Sequence, residues 1–456
     1  MGVILSTCSD LIARAKSSRV VKNTAWLLLD KLLRLSIGLI VGTMVARYLG
    51  PEKFGLLSYV IALVALVGGM GSLGLDSIVV RNVVRDPSNA SVELGTTLLL
   101  KSIGGGVSFA MAFLLVSLLR PDGGATAEIA ALVGLATAVK GLDVARFWFE
   151  ANINSKFTAI SESVAFLISS GLKLALIQVG APPAAFAGIM LIEALVALLV
   201  NSMFYHRSGR SIKSWRASCT SANALLRDCW PLALSSIVMI AYMKIDQLML
   251  GQLSGYSRVG IYGAATRISE VWYLFPVMIG QSIYPVLIKQ KQKDDDSFTL
   301  LIQKLMDAAV ILSLTIALPV SLLSNQIINL LYGSNFDESS SVLIIHIWGS
   351  AFVFMGVIAG RWYLANDLQQ LSLFRSLYGI ATNVLLNIFL IPRYGANGAA
   401  ISMVFSHFVG SYLANSFDSR TRGVFLIQTK AMIVPARMLY RALQLALSAG
   451  RGVRQR

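Results

Sequence analysis

Charged side chains lie inside otherwise apolar stretches of this chain, and thirteen of them stand out. The bases are Lys31, Arg34, Lys101, Lys173, Lys244, Arg267, Arg361 and Arg375, and the acids are Asp30, Asp76, Glu193, Asp246 and Glu270. A charge at the centre of a bilayer costs about 2.5–3.5 kcal/mol on insertion scales, so such residues persist where they pair, reach the interface or line a wet cavity. The excess sign is positive. The planar fork of arginine donates two parallel hydrogen bonds to a phosphate. The expected chemistry is the holding of an anion, a phosphate above all, at depth in a membrane.

The spacing sharpens this for three segments. On a helical wheel Asp30, Lys31, Arg34, Gly38 and Gly42 fall within about 120°. Arg34 lies about 15 Å from the edge of its segment, close to the midplane. Arg267 is at similar depth, with Glu270 one turn on, Gln281 on the same face, and Pro276 expected to kink the helix. Lys244 and Gln247 share a face, whereas Asp246 points the other way and is expected to hold the fold together. Lys101, Arg361 and Arg375 sit near segment ends, from where they can reach the interface. Asp30–Arg34 and Arg267–Glu270 are also spaced as pairs that neutralise themselves.

The elements that carry these residues follow from composition. The chain has 456 residues, 55% hydrophobic and 14% charged, against roughly 25% charged in a soluble protein. Apolar stretches long enough for the hydrocarbon core recur along nearly the whole length, and in lipid they must be helices. Spans are expected at 24–46, 54–80, 94–118, 126–147, 157–178, 182–204, 229–251, 257–287, 299–323, 341–365, 371–391 and 396–417. The first is too long for a cleavable signal. The fold class is therefore an all-α polytopic membrane protein with about twelve transmembrane helices.

Loop charge sets the orientation. With the N-terminus cytoplasmic, 26 Lys and Arg fall on the cytoplasmic side and five (Arg47, Lys53, Arg120, Arg258 and Arg393) on the other. That asymmetry puts both termini inside. It also accounts for the net charge of +16 through topology and anionic lipid, with no nucleic-acid partner needed.

The two halves resemble each other at an offset of roughly 205 to 215 residues. Leu49-Gly50-Pro51 before span 2 matches Ser254-Gly255-Tyr256 before span 8. Arg146-Phe147-Trp148-Phe149-Glu150-Ala151-Asn152 after span 4 matches Arg361-Trp362-Tyr363-Leu364-Ala365-Asn366 after span 10. Six spans repeated in one orientation predict two pseudo-symmetric six-helix lobes around a central cavity. The organisation expected is an N-tail (1–23), an N-lobe (24–204), a cytoplasmic loop (205–228), a C-lobe (229–417) and a basic amphipathic C-tail (418–456).

Other chemistry finds no support. The chain has no phosphate-cradling loop of the ATPase kind. His206, His346 and His407 are too dispersed for a metal set. Cys8, Cys219 and Cys229 form neither a metal spacing nor a disulfide framework. Neither an enzyme nor a cofactor or metal is expected.

Five stretches carry a family resemblance: Ala46-Arg47-Tyr48-Leu49-Gly50-Pro51-Glu52-Lys53-Phe54-Gly55, Leu73-Gly74-Leu75-Asp76, Lys244-Ile245-Asp246-Gln247-Leu248-Met249-Leu250-Gly251, residues 259–270 and residues 391–400. Together they resemble the Wzx-type oligosaccharide flippases, a polysaccharide-exporter branch of the superfamily that also holds multidrug antiporters and the lipid II flippase. The resemblance implies a two-lobe fold with a cavity lined by spans 1, 2, 7 and 8. It implies an undecaprenyl-pyrophosphate-linked repeat unit, an O-antigen or related polysaccharide precursor, as substrate, moved to the periplasmic face of a bacterial inner membrane by alternating access. Lys31, Arg34, Lys244 and Arg267 would hold the pyrophosphate. Asp30, Asp76, Glu193, Glu270, Arg47, Arg146 and Arg361 would support them or couple transport to a proton or Na⁺ gradient. Inner-membrane lipids, a polysaccharide polymerase and a chain-length regulator are the implied partners. A multidrug cation antiporter, a lipid II flippase and a non-transporting scaffold of a glycan-assembly complex stay open as alternatives.

Overall fold

The computed structural model describes the backbone of residues 19–119 and 124–453, and the side chains of 31, 33–119, 124–437 and 440. Among the described residues all regular structure is helical. The chain divides into two compact units between Ile240 and Ala241.

The first unit holds α1 (Arg19–Gly71), α2 (Asp76–Arg85), α3 (Ala90–Leu119), α4 (Gly124–Gly141), α5 (Ala145–Ala151), α6 (Lys156–Gln178), α7 (Pro183–Arg207) and the start of α8 (Cys219–Leu253). The second holds the rest of α8, then α9 (Tyr256–Glu270), α10 (Leu274–Lys293), α11 (Asp295–Leu322), α12 (Ser324–Tyr332), α13 (Ser339–His346), α14 (Gly349–Ala365), α15 (Gln369–Tyr394), α16 (Ala396–Ser411) and α17 (Arg422–Val453).

Nine helical stretches among the described residues are long and apolar enough to cross a membrane, or ten if α4 and α5, bent by 42°, are one span. All twelve expected spans fall on these helices or on α16. The stretch from Leu33 to Arg85 contains two of them, separated at Gly50 (φ 72°, ψ 171°). Helix α16, with 16 residues, is extended by a single 3₁₀ turn to Ser416. Large apolar side chains face outward along these helices, among them Leu199, Leu385 and Phe389. A surface of this kind is stable against lipid, not water.

Besides span 4, broken between α4 and α5, three expected spans are interrupted. Span 2 was expected to run to residue 80, but the helix ends at Gly71 and the chain turns through Leu73 (φ 55°) and Gly74 (φ 62°) into α2. A Cβ on Gly74 would lie 2.6 Å from the Ala233 backbone nitrogen, so both the turn and the approach of α8 require glycine here. In span 8 a 3₁₀ turn, Val271–Tyr273, separates α9 from α10. Pro276 is the cause: it cannot donate the bond that would close this turn as α-helix. Span 10 changes direction between α13 and α14, at residues 347–348.

The repeat expected from sequence is present as backbone geometry. Gly50 and Gly255 share one conformation (φ 72° and 86°, ψ 171° for both). Asn152 and Asn366 each cap a helix by donating from Nδ2 to the carbonyl four residues back, both at 2.8 Å. Each is followed by a left-handed residue, Ile153 (φ 55°) and Asp367 (φ 57°). After the second span of each half an aspartate, Asp86 or Asp294, caps the next element.

The stretch expected to be the C-tail carries α17. This helix packs along α11 through buried Val424, Ile427 and Ala431, and Gln428 donates to the Ser411 carbonyl at 2.9 Å. Cys219 and Cys229 are free thiols, and Cys8 lies outside the described residues.

Candidate functional site

The densest charge constellation of the first unit is built on Asp76, the first residue of α2. The Leu73–Gly74 turn places it, and Leu75, fully buried, anchors it. Its two carboxylate oxygens are divided between two cations. Lys101 Nζ of α3 donates to Oδ1 at 2.6 Å, and Arg146 Nη2 of α5 donates to Oδ2 at 2.6 Å. Both cations also lie over the ring of Phe147, each 4.8 Å from its centroid. The bend between α4 and α5 brings Arg146 back toward Asp76.

Lys101 is only 4% exposed. It does not reach the interface as the sequence suggested. Its ammonium is held in the interior by a carboxylate and an aromatic face, the two partners that can replace water around a buried cation. The triad borders a cavity of about 180 Å³, whose wall adds Lys140, Ser72, Ser108 and Thr137. Glycines open it: a Cβ on Gly71 would lie 2.6 Å from the Gly104 carbonyl oxygen, so the helix backbones there are nearly in contact. The wall carries three bases against one acid. Behind it Asn201 Nδ2 donates to Asp143 Oδ2 at 2.8 Å, and Ser161 Oγ to Asn201 Oδ1 at 3.3 Å.

Two other span cations of this unit are also paired. Arg34 Nη1 of α1 meets Glu162 Oε2 of α6 at 2.6 Å. Lys173 Nζ meets Glu193 Oε2 at 3.6 Å. Lys31 and Arg47 are exposed, and the side chain of Asp30 lies outside the described residues.

The second unit treats charge differently. Asp246, 2% exposed, accepts from Asn387 Nδ2 at 2.7 Å and from the Tyr262 hydroxyl at 3.1 Å. It holds α8, α9 and α15 together, as its position on the helix suggested. Lys244, two residues earlier, is half-buried and makes no ion pair among the described residues. Glu270 has Lys244 and Arg267 as its neighbouring cations. Arg267 lies on a membrane-spanning helix, and Tyr332 and Glu270 are the ionisable groups beside it.

Arg361 lies 5.9 Å from the centroid of Tyr284, close against Gly280. Arg375 donates from Nη2 to the Gly356 carbonyl at 3.3 Å and lies over Tyr363 at 5.3 Å. Neither has a carboxylate partner among the described residues. Two buried histidines complete the core: His346 Nδ1 bonds Ser269 Oγ, and His407 Nδ1 bonds the Tyr242 hydroxyl, both at 2.8 Å.

The structure thus joins Asp76 directly to Arg146 and gathers Lys244, Arg267 and Glu270. Arg34, Glu193 and Arg361 sit in separate contacts. Glu162 and Asp143 were passed over in the sequence, yet each is an acid within an apolar segment, which is the available signal. Phe147 had none beyond its place beside Arg146. No group of three metal-ligating side chains occurs among the described residues.

Comparison with known proteins places this geometry. A family profile described as polysaccharide biosynthesis protein matches residues 20–291, more than half of the chain. The capsular polysaccharide biosynthesis protein CapF of Staphylococcus aureus is 26% identical over 39% of this chain and 46% of its own. Against CapF and two relatives from Haloferax volcanii the chain spans about half of the relative's length. The lipid III flippase of Escherichia coli K12 is 23% identical over 89% of this chain and 98% of its own. Among solved structures, the lipid II flippase MurJ in an inward closed conformation superposes with a TM-score of 0.68 at 15% identity, covering 90% of this chain and 91% of that one. An inward-facing multidrug resistance MATE family transporter gives the same TM-score, covering 88% and 96%. At these identities the structural likeness concerns the fold alone.

Proposed function

The chain belongs to the polysaccharide biosynthesis protein family, and from that premise we propose that it is a flippase for lipid-linked saccharides. The cargo is an undecaprenyl-pyrophosphate-linked repeat unit. It moves from the cytoplasmic to the outer leaflet of a bacterial inner membrane by alternating access, with both termini cytoplasmic. One observation carries the reading: in the spans of the second unit Lys244, Arg361 and Arg375 have no carboxylate partner among the described residues. Span cations without an ion-pair partner favour an anionic cargo and oppose a cationic one. Lys244 and Arg267 take the pyrophosphate there. In the first unit Lys31 and Arg34 are the cations proposed for substrate binding, and Arg34 would first have to leave Glu162.

Of the acids expected to couple transport to an ion gradient, Asp76 and Glu193 are occupied by ion pairs. Glu270, beside Lys244 and Arg267, is the acid whose protonation would change the charge offered to the substrate. Transport that persists after both the proton and the Na⁺ gradients are collapsed would remove this role.

The test measures lipid-linked saccharides in a host lacking the gene, with sidedness read by a non-permeant glycan-modifying reagent. Protected, cytoplasm-facing units should accumulate, and the intact gene should relieve them. Arg267→Gln should restore transport poorly at normal protein level. Full transport by both Arg34→Gln and Arg267→Gln would sink the charge assignment, and altered sensitivity to cationic drugs without saccharide build-up would favour an antiporter.

A further inference from the structure

The turns Gly50 and Gly255 are equivalent in the repeat, but what surrounds them is not. In the first unit the Tyr48 hydroxyl donates to the Ala181 carbonyl at 3.0 Å and its ring packs on Phe186 at 5.9 Å, filling the space between the turn and the loop at 180–182. In the second unit Leu253 stands in place of Tyr48 and is exposed. A long bond from Ser254 Oγ to the Ile391 carbonyl, 3.4 Å, spans the equivalent gap. A cavity of about 500 Å³ opens there, inside the size range of small-molecule sites.

Its wall is polar and shaped. Arg258 and Glu338 form an ion pair across it. Gly395 (φ 54°) turns the chain beside Arg258, where a Cβ would lie 3.5 Å from Arg258 Cδ. The Ser341 hydroxyl lies 2.9 Å from the Asn397 side-chain amide and 2.8 Å from the Glu338 carbonyl, which brings the amide to the wall. Arg393 and Tyr394 are exposed on the rim, Tyr394 at 59%. Two of the five basic residues expected on the outer side, Arg258 and Arg393, therefore converge on this one cavity.

We propose that this cavity binds sugar rings of the translocated glycan on the outer face of the second unit. The inference rests on the flippase reading above. Planar amide, guanidinium and carboxylate groups can each bridge neighbouring hydroxyls. A tyrosine face offers an apolar platform with a polar edge, which suits the C–H face of a pyranose. Two arginines against one glutamate favour a neutral or acidic saccharide over a basic one. The site holds the emerging headgroup after the pyrophosphate has left the span cations, and so delays its return.

The experiment uses the full-length protein in lipid nanodiscs. The probe is the pool of oligosaccharides released by mild acid from the host's lipid-linked fraction, free of lipid and pyrophosphate. Saturation-transfer NMR should show contact with sugar protons. The signal should fall by about fivefold or more, the loss of one good contact, in Tyr394→Ala and in Arg393→Gln. It should stay unchanged in Lys213→Gln, an exposed position of the first unit, and each variant should elute as the folded protein does. Absence of signal from the wild-type protein, or equal signal in all variants, overturns the proposal. Loss of signal on adding excess inorganic phosphate also overturns it and makes the cavity an anion site. The flippase reading fails separately, if the intact gene does not relieve saccharide build-up in cells.

Discussion

The two units share a repeat, yet they stabilise charge by different means. In the first, span cations meet carboxylates: Lys101 and Arg146 divide Asp76, Arg34 takes Glu162, and Lys173 takes Glu193. In the second, cations meet rings and carbonyls, and acids meet amides. Arg361 and Arg375 lie over Tyr284 and Tyr363. Asp246 is held by Asn387 and Tyr262, and Asp307 accepts from Gln303 at 2.7 Å. Ion pairs cancel charge where they form. Rings and amides solvate a charge while leaving its sign to act at a distance. More of the span charge is therefore tied up in ion pairs in the first unit than in the second.

This contrast is broken most directly at its two aspartates. Asp76→Asn leaves Lys101 and Arg146 beside a neutral amide in the interior. Asp76 is itself about half-exposed, so solvent screens part of the loss, but Lys101 is buried and keeps no counter-charge; thermal unfolding in detergent should drop by several degrees. Asp246→Asn removes no counter-charge from a cation. Its oxygen can still accept from Asn387 and its NH₂ can donate to Tyr262, so the loss should be about 1 kcal/mol. Equal losses would mean that the second unit also depends on a fixed ion pair.

A smaller effect separates the aromatic contacts. Phe147→Leu removes a ring that serves two cations at 4.8 Å, Tyr284→Leu one that serves a single cation at 5.9 Å. A buried cation–π contact contributes up to about 2 kcal/mol and an open one about 0.5–1 kcal/mol. Phe147→Leu should thus lower the melting temperature more than Tyr284→Leu. The reverse order would place the stronger ring contact in the second unit.

Much of this was legible beforehand, for identifiable reasons. Span number and position follow from runs of apolar residues, and those runs reappear as helices within a few residues. The repeat was readable because its devices are single residues with strict backbone demands: glycine at 50 and 255, and an asparagine cap at 152 and 366. The pairing of Asp76 with Lys101 and Arg146 was not readable. It joins three helices through a turn at Leu73–Gly74 and a bend before Ala145, and neither leaves a periodic trace. Glu162 as the partner of Arg34 was hidden for the same reason, because nothing in the order of residues says that α1 and α6 are neighbours. Asp246 was placed correctly because the argument needed only its own helix.

The same glycines give a prediction in which the units should agree. Gly50 and Gly255 have no atoms within 4 Å of a built Cβ, so alanine there meets no clash and strains only the backbone. Both φ values lie in the left-handed range with extended ψ, where an L side chain costs about 1–3 kcal/mol. Gly50→Ala and Gly255→Ala should lower thermal stability by similar amounts. A much larger loss at one would show that its turn carries load the other does not.

The smallest expected effect lies at the surface. Asp86 and Asp294 follow equivalent spans and cap what comes next, and their hydrogen bonds hold both carboxyls below the usual aspartate range. Asp294 accepts from two backbone N–H groups of α11, at 3.2 Å from Asp296 and 2.9 Å from Ser297, and α11 has 28 residues. Asp86 accepts from one backbone N–H, at 3.3 Å from Asn89, in a three-residue turn. Depressed folded values mean that each cap stabilises fully above the unfolded aspartate value of about 3.9 and is lost as pH falls below it. Melting curves from neutral pH down to about pH 3 should therefore steepen toward acid in the wild type. Asp294→Ala should lower the neutral-pH melting temperature and flatten that acid slope, and Asp86→Ala should do less of both. If Asp86→Ala had the larger effect, the short turn after the first unit's second span would be the more stressed joint, and the two units would differ in their connections as well as in their charge.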